Sequence, residues 1–335
     1  MVNSALNNKI ARESEDRKTK SIAVKCQNTF EKAVSHNCVG GEIPSFPDEK
    51  WSKEKQKFTE DMKESVKAIV RVEHESDNSE HLKTLLKQGE FLKLIEAEQN
   101  DPTWKSFIYG LKKGTMKFLL NSLIHTLPTQ TNLMLWNKAT SNKCLICKNQ
   151  ETTLHILNGC KTALDQGRYT WRHDSILNYM SSTFDKSKFQ VFSDIPGQKT
   201  ENGGTIPSFL TVTADRPDIV VLDKAKKAVY ILELTAPFES NISTRHTYKT
   251  NKYAYLLKDI SDYKPTVIAY EVGSRGHISK ENRDRLKIIF KLCEKGITFK
   301  NFVDNISKIS ITSSFYIYNC RKNPQWTPVP YMKPN

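Results

Sequence analysis

The chain has 335 residues, enough for two domains or for one domain with extensions. Lys and Arg outnumber Asp and Glu by 51 to 37, a formal charge of +14, and phosphate backbones are the commonest partner of such a surplus because each neutralised phosphate releases counterions. The polar start MVNSALNNKIARESEDRKTK has no secretory core, no apolar run reaches bilayer length, and seven scattered cysteines argue against a disulfide framework, so a soluble intracellular protein with no membrane partner is expected.

Residues 1–80 are charge-rich, and the spacing allows a long polar helix over Trp51–Val72; this extension is expected to be partly helical or to order on a partner. From 81 to 140 a helical subdomain is expected. Leu82, Leu85, Leu86, Leu92 and Ile95 recur near helical spacing. Asp101-Pro102 reads as an N-cap and first helical position, starting a helix through Trp104, Phe107, Leu111, Phe118 and Ile124. Leu127-Pro128-Thr129 ends it, and a short helix runs through Leu133 and Trp136. The aromatics of this region sit at core periodicity and are read as packing.

A four-ligand pattern occupies 141–162: Cys144, Cys147, His155 and Cys160, spaced C-x2-C-x7-H-x4-C. Thiolate and imidazole are the donors that tetrahedral zinc prefers, and four protein ligands leave no open position, so one structural Zn2+ is expected. Lys143, Lys148 and Lys161 flank the ligands, as phosphate contacts or as a solvated face.

Beyond it, 162–182 reads as a helix, and Pro196-Gly197 and Gly203-Gly204 mark a loop. Strands follow at Phe209–Thr213, Ile219–Leu222 and Val229–Leu234, then a helix over 241–259, a strand at Thr266–Val272 and a helix over 280–294. The order α-β-β-β-α-β-α implies an α/β (α+β) fold with a mixed four-stranded sheet flanked by helices. Residues 297–335 are read as a C-terminal tail.

Val220-Val221-Leu222 and Val229-Tyr230-Ile231-Leu232 enclose the polar turn Asp223–Lys227. If Asp223 pairs with Ala228, Asp218 faces Glu233, with Cβ atoms about 5 Å apart. Glu233 lies in an otherwise apolar run, where a buried carboxylate needs a partner or a cation. Two carboxylates at that spacing suit a hard divalent ion, Mg2+ or Mn2+. On the following helix Arg245, Lys249 and Lys252 share a face, and a lysine there can stabilise charge on a phosphate.

Taken together, these motifs resemble the C-terminal end of non-LTR retrotransposon reverse transcriptase proteins that carry a restriction-like endonuclease. The resemblance covers about 81–295. It rests on the Cys-Cys-His-Cys pattern, Arg216-Pro217-Asp218, Glu233-Leu234-Thr235-Ala236-Pro237 and Lys249-x-x-Lys252-Tyr253. It rests also on Leu127-Pro128-Thr129 with Asn132-Leu133, on Gly167-Arg168-Tyr169 with Trp171-Arg172-His173, and on Glu271-Val272-Gly273-Ser274-Arg275-Gly276. It implies a nuclease core of PD-(D/E)xK type over 163–296, in which Asp218, Glu233 and the Leu234 carbonyl bind Mg2+ or Mn2+. The standard lysine position holds Thr235, and the resemblance maps the lysine onto Lys249 or Lys252, with Asp174 as an assisting acid on the first helix. It also implies nucleic-acid contacts by Lys143, Lys148, Lys161, Arg168, Arg172, Arg216 and Arg245. The activity implied is nicking of target DNA to prime reverse transcription, in the nucleus, with DNA and the element's RNA as partners. The chain departs from the family in having no Tyr/Phe-x-Asp-Asp polymerase signature. A zinc-containing nucleic-acid-binding fragment without catalysis is the alternative expectation, and a zinc-stabilised interaction protein unrelated to nucleic acid is a third.

Overall fold

The computed structural model describes residues 68, 71–72, 74–99, 102–211, 215–253, 256–260 and 262–334, apart from the side chains of 243–245, 248 and 259. Most of the charged extension, including nearly all of the helix expected at Trp51–Val72, lies outside the described residues. The chain divides into two units, Met1–Leu85 and Leu86–Asn335. In the first, residues 74–84 are helical. The second carries both candidate centres.

A four-stranded sheet forms its middle, in the order β1 (Gln190–Ser193), β2 (Ile219–Asp223), β3 (Ala228–Thr235) and β4 (Lys264–Glu271). The first two pairings are antiparallel and β3–β4 is parallel. β2 and β3 are buried on both sides, which explains their near-continuous apolar sequence. Alternation sorts their side chains. Ile219, Val221, Leu232 and Leu234 join a core with α5 (Arg168–Thr183), α8 (Lys280–Phe290) and α9 (Phe299–Asn319). Val220, Leu222, Val229 and Ile231 join a smaller core with Tyr253, Leu256 and Ile260, at the end of α6 (Ile242–Lys252) and along α7 (Leu256–Asp259). Each such residue contributes about 1.5–3 kcal/mol by burial. A one-residue slip would exchange the two sets, so the register is firmly fixed.

The β2–β3 register is the expected one, Asp223 with Ala228 and Leu222 with Val229. The expected first strand is absent over its described residues, 209–211. Ser208–Leu210 make a turn, Phe209 is exposed, residues 212–214 lie outside the described set, and the edge strand is Gln190–Ser193 instead. A four-residue edge strand carries too little alternation to stand out, whereas Phe209-Leu210-Thr211 mimics a strand and only Leu210 is buried.

Several expected helices are shorter. The helix expected over 81–98 is broken: the end of the helix at 74–84 gives way to a turn at 85–89, after which α1 (Glu90–Glu98) begins. The helix expected to start at Asp101-Pro102 begins as two 3-10 turns, Thr103–Ser106 and Ile108–Gly110. Extended backbone at Leu111 and Lys112 separates them from α2 (Lys113–Leu123). Phe107 and Phe118 are buried, as their periodicity required, but of the stripe expected over 82–95 Leu86 is exposed and the buried apolar residue is Phe91, in the next turn. α3 (Gln130–Leu135) is capped by the Thr129 side chain. Residues 241–259 break at Tyr253.

The segment read as a tail contains the longest helix of the described residues. α9 buries Phe302, Val303, Ile306 and Ile309. Its Ser307, Ser310 and Ser314 hydroxyls donate to the carbonyls of Gly276, Gly273 and Ser274. The Gly273-Ser274-Arg275-Gly276 motif therefore packs flat on a helix. A Cβ at Gly276, where φ is +79°, would come within 2.6 Å of Ile311 and 2.7 Å of the Ser307 hydroxyl, so only glycine fits.

Candidate functional site

Cys144 and Cys147 sit on a tight turn closed by Cys144 N–H to Asn149 O and Lys148 N–H to Cys144 O, with Lys148 at φ +64°. His155 and Cys160 bracket a π-helical turn, His155–Gly159, before α4 (Lys161–Asp165). The Tyr169 hydroxyl accepts the Cys160 N–H and donates to the His155 and Ile156 carbonyls, fixing both ligands. One ligand atom from each of the four residues lies within 4.8 Å of the others, and Cys147 Sγ is 3.2 Å from His155 Nε2. This Cys3His cluster could hold one zinc ion. Without a cation, burial pushes the Cys160 thiol up to about 12 and raises Cys144 as well. Three thiols and an imidazole converge there, and a bound dication would reverse that penalty by favouring thiolates. Glu151, also buried, accepts the Gln130 N–H at the start of α3, which ties the cluster to the Leu127-Pro128-Thr129 segment.

The second centre lies at one end of the sheet. Continuing the β2–β3 register past Ile219–Leu232 sets Asp218 against Glu233, and the Asp218 N–H donates to Glu233 Oε1 at 3.0 Å. Asp218 Oδ2 accepts the Leu234 N–H at 2.7 Å. Both acids are buried, Glu233 completely. From α6, Lys249 Nζ is 2.6 Å from Glu233 Oε2 and 3.7 Å from Asp218 Oδ2. The sheet position that holds Thr235 in place of a lysine has a buried hydroxyl without a described hydrogen bond, and the helix amine serves the carboxylates instead.

α5 adds a residue that sequence reasoning left inside a motif without a role. His173 Nε2 is 3.2 Å from Asp218 Oδ2 and 3.3 Å from the Leu234 carbonyl oxygen, and Nδ1 is 3.1 Å from Asp174 Oδ1. Asp174 meets His173, not the two acids.

The charges are mutually tuned. Burial, then the Asp218 charge, pushes Glu233 up to about 7. Burial also works to raise Asp218, but the charges of His173 and Lys249 outweigh it and hold Asp218 below the ordinary range. For His173, burial opposes the charged form and is overcome by Asp218 and Asp174, which carry it to about 10. Lys249 is raised by the two acids against its own desolvation. Two cationic side chains thus face two acids.

Lys252 does not reach the acids. Its amine donates to the hydroxyl of buried Tyr253 at 2.7 Å, and that hydroxyl donates in turn to the Arg216 carbonyl. The side chain of Arg245 lies outside the described set. Lys143, Lys148, Lys161 and Arg216 are exposed, as a phosphate contact requires.

Arg168 and Arg172 correct the expectation, because both are fully buried. Arg168 donates to the carbonyls of Cys320 and Asn323 and to Gln166, and lies over the Trp326 ring. Arg172 donates to the Leu157 and Ala236 carbonyls and to Ser314, joining the π-helical turn, the end of β3 and α9. Neither presents a guanidinium to a nucleic acid. Their spacing on α5 gave no sign of this, since the carbonyls they bind come from distant parts of the chain.

No helix among the described residues is long and apolar enough to cross a membrane. No protein-family model matches the chain, and no curated protein matches it significantly.

Proposed function

We propose that this protein is a metal-dependent DNA endonuclease of retrotransposon origin that nicks target DNA, working in the nucleus on DNA that the basic surface holds. The observation that carries this reading is the meeting of Asp218, Glu233 and the Lys249 amine at one end of the sheet. The oxygen donors fit a hard divalent ion: two carboxylates and the Leu234 carbonyl, all drawn to one place by the strand register. A bound Mg2+ or Mn2+ would activate a water and offset charge on the scissile phosphate. Lys249 would orient the attacking water and offset charge on the phosphate oxygens, Glu233 would take the proton the water loses and return it to the departing 3′ oxygen as its bond to phosphorus breaks, and Asp218 favours the protonated Lys249. The Cys3His cluster holds structural zinc and docks the helical segment, with exposed Lys143, Lys148 and Lys161 beside it to meet the phosphate backbone.

A specific observation favours a second reading, a nucleic-acid-binding remnant without catalysis. His173 and Lys249 already neutralise the two acids, so the pocket is electrostatically satisfied without a metal. Supercoiled plasmid separates the two readings. The nuclease converts it to open circles with Mg2+ or Mn2+, and the Asp218→Ala, Glu233→Ala double variant does not. Equal conversion by both proteins, or none by either in the presence of retained DNA binding, removes the nuclease reading.

A further inference from the structure

Resting on the metal-site reading above, we infer that His173 is itself a ligand of the divalent ion, through Nε2, and that the site consequently selects Mn2+ over Mg2+. Nε2 lies 3.2 Å from Asp218 Oδ2 and 3.3 Å from the Leu234 carbonyl oxygen, the two oxygens that face the ion in that reading. Ligands about 2.1 Å from an octahedral ion stand about 3.0 Å from their cis neighbours. The nitrogen therefore stands from both oxygens at close to a shared-ligand spacing, and a small movement of the imidazole completes it.

The other side of the ring carries the second half of the argument. Nδ1 is 3.1 Å from Asp174 Oδ1. Metal-bound histidines almost always donate their second N–H to a carboxylate, a backbone carbonyl or a water, which fixes the tautomer and turns the lone pair of the other nitrogen toward the ion. Asp174–His173 has that arrangement, with Nε2 on the side of Asp218. The His173 side chain keeps 23% of its surface exposed, so the ring borders a path open to solvent. Binding replaces the proton on Nε2 with the ion and releases that proton to water; no other bond changes. An imidazole ligand suits first-row transition ions better than Mg2+, which prefers oxygen and water.

The rival is that Nε2–H only donates a hydrogen bond to Asp218 and Leu234. Pulsed electron paramagnetic resonance of Mn2+ bound to the zinc-loaded full chain decides between them. Ligation gives 14N modulation from a directly bound imidazole in the unaltered protein. His173→Gln then abolishes that modulation and weakens Mn2+ binding by about tenfold or more while changing Mg2+ binding far less, and Asp174→Asn weakens Mn2+ by about tenfold. Mn2+ binding that depends on Asp218 but shows no 14N modulation, with unchanged affinity in His173→Gln, overturns the assignment and leaves the carboxylate metal site standing. Mn2+ binding indifferent to Asp218→Asn overturns both.

Discussion

The two candidate cation centres of this molecule are built on opposite plans. The Cys3His cluster comes from one short stretch of chain, and its ligands include two buried thiols and a buried imidazole. The carboxylate centre is assembled from α5, the β2–β3 ladder and α6, and carries its own cations, His173 and Lys249. On the proposed reading the first centre would depend on its ion for folding, whereas the second is already charge-balanced by His173 and Lys249 and would take an ion only for chemistry. The difference lies in charge: neutral thiols become good ligands only as thiolates beside a dication, while acids already paired with amines exchange one set of cations for another.

Stripping zinc tests the comparison most severely. Structural zinc supplies about 10–16 kcal/mol in isolated finger peptides at neutral pH. Here the loss should melt residues from about 141 to 160, seen as rapid proteolysis of that stretch and a large fall in Tm under a strong zinc chelator. A magnesium-selective chelator should leave Tm unchanged. A chain that keeps its Tm after verified zinc loss would show that the thiols pack as ordinary apolar side chains.

The next largest effects come from removing one cation from each kind of network. Lys249→Met leaves Glu233 buried without its amine, and breaking such a pair costs about 3–5 kcal/mol. Mn2+ should restore much of that loss, because the ion takes over the neutralising role. Arg172→Met removes the donor shared by the Leu157 and Ala236 carbonyls and the Ser314 hydroxyl, at about 1–3 kcal/mol in all, because Ala236 keeps the Asn158 amide and Ser314 its bond to the Ser274 carbonyl. Mn2+ should restore none of it. Chemical denaturation with and without the ion distinguishes the two, and equal rescue of both variants would break the division between a chemical cation and a structural one.

These networks also show what the sequence could disclose. The register that joins Asp218 to Glu233 was legible because the apolar runs of β2 and β3 alternate about a short polar turn. The zinc ligands were legible because their spacing is local. Lys249 was legible as one of two lysines on a helix face, and only the packed helix shows that it, not Lys252, turns inward. His173 escaped notice because its partners lie 45 and 61 residues away, and a histidine beside an aspartate looks like an exposed pair. Arg168 and Arg172 misled for a related reason: two basic residues four apart suggest a phosphate-facing stripe. Their true partners are main-chain oxygens from up to 155 residues distant, which no local pattern encodes. The role of α9 was hidden by its serines, which read as a solvated segment until the loop carbonyls they bind are in place.

Acidity sharpens the contrast more gently. Glu233, raised from 4.5 to about 7, contributes stability that is fully present below 4.5 and is lost as pH rises through 7. His173, raised from 6.5 to about 10, adds stability present below 6.5 and lost as pH climbs toward 10. Asp218, held low, contributes in the opposite sense, and its share is lost only as the solution becomes strongly acidic. Metal-free protein should therefore lose stability between pH 5 and 9, while Mn2+ affinity rises with pH, by up to about tenfold per unit for each proton released. Thermal unfolding across that range, with and without Mn2+, should show slopes of opposite sign. Parallel slopes would mean that the ion does not compete with these protons.

The smallest effects concern which centre faces nucleic acid. Lys143, Lys148 and Lys161 surround the cysteines and are exposed, while Arg216 and Lys252 are exposed beside the carboxylates. Alanine at any of them should change stability by no more than about 0.5 kcal/mol. On duplex DNA each phosphate contact contributes about 0.9 to the slope of log affinity against log salt. Losing all three zinc-side lysines should therefore lower that slope by between two and three if each grips a phosphate. Losing the pair beside the carboxylates should lower it by about two and should also move the nicking position, because those residues would set where the strand crosses Glu233. A slope that falls only for the zinc-side set would make the cysteine cluster the anchor and the carboxylate pocket a site that engages the strand just in passing. A slope that falls for neither would return all five charges to the solvated surface and leave DNA binding to residues elsewhere in the chain.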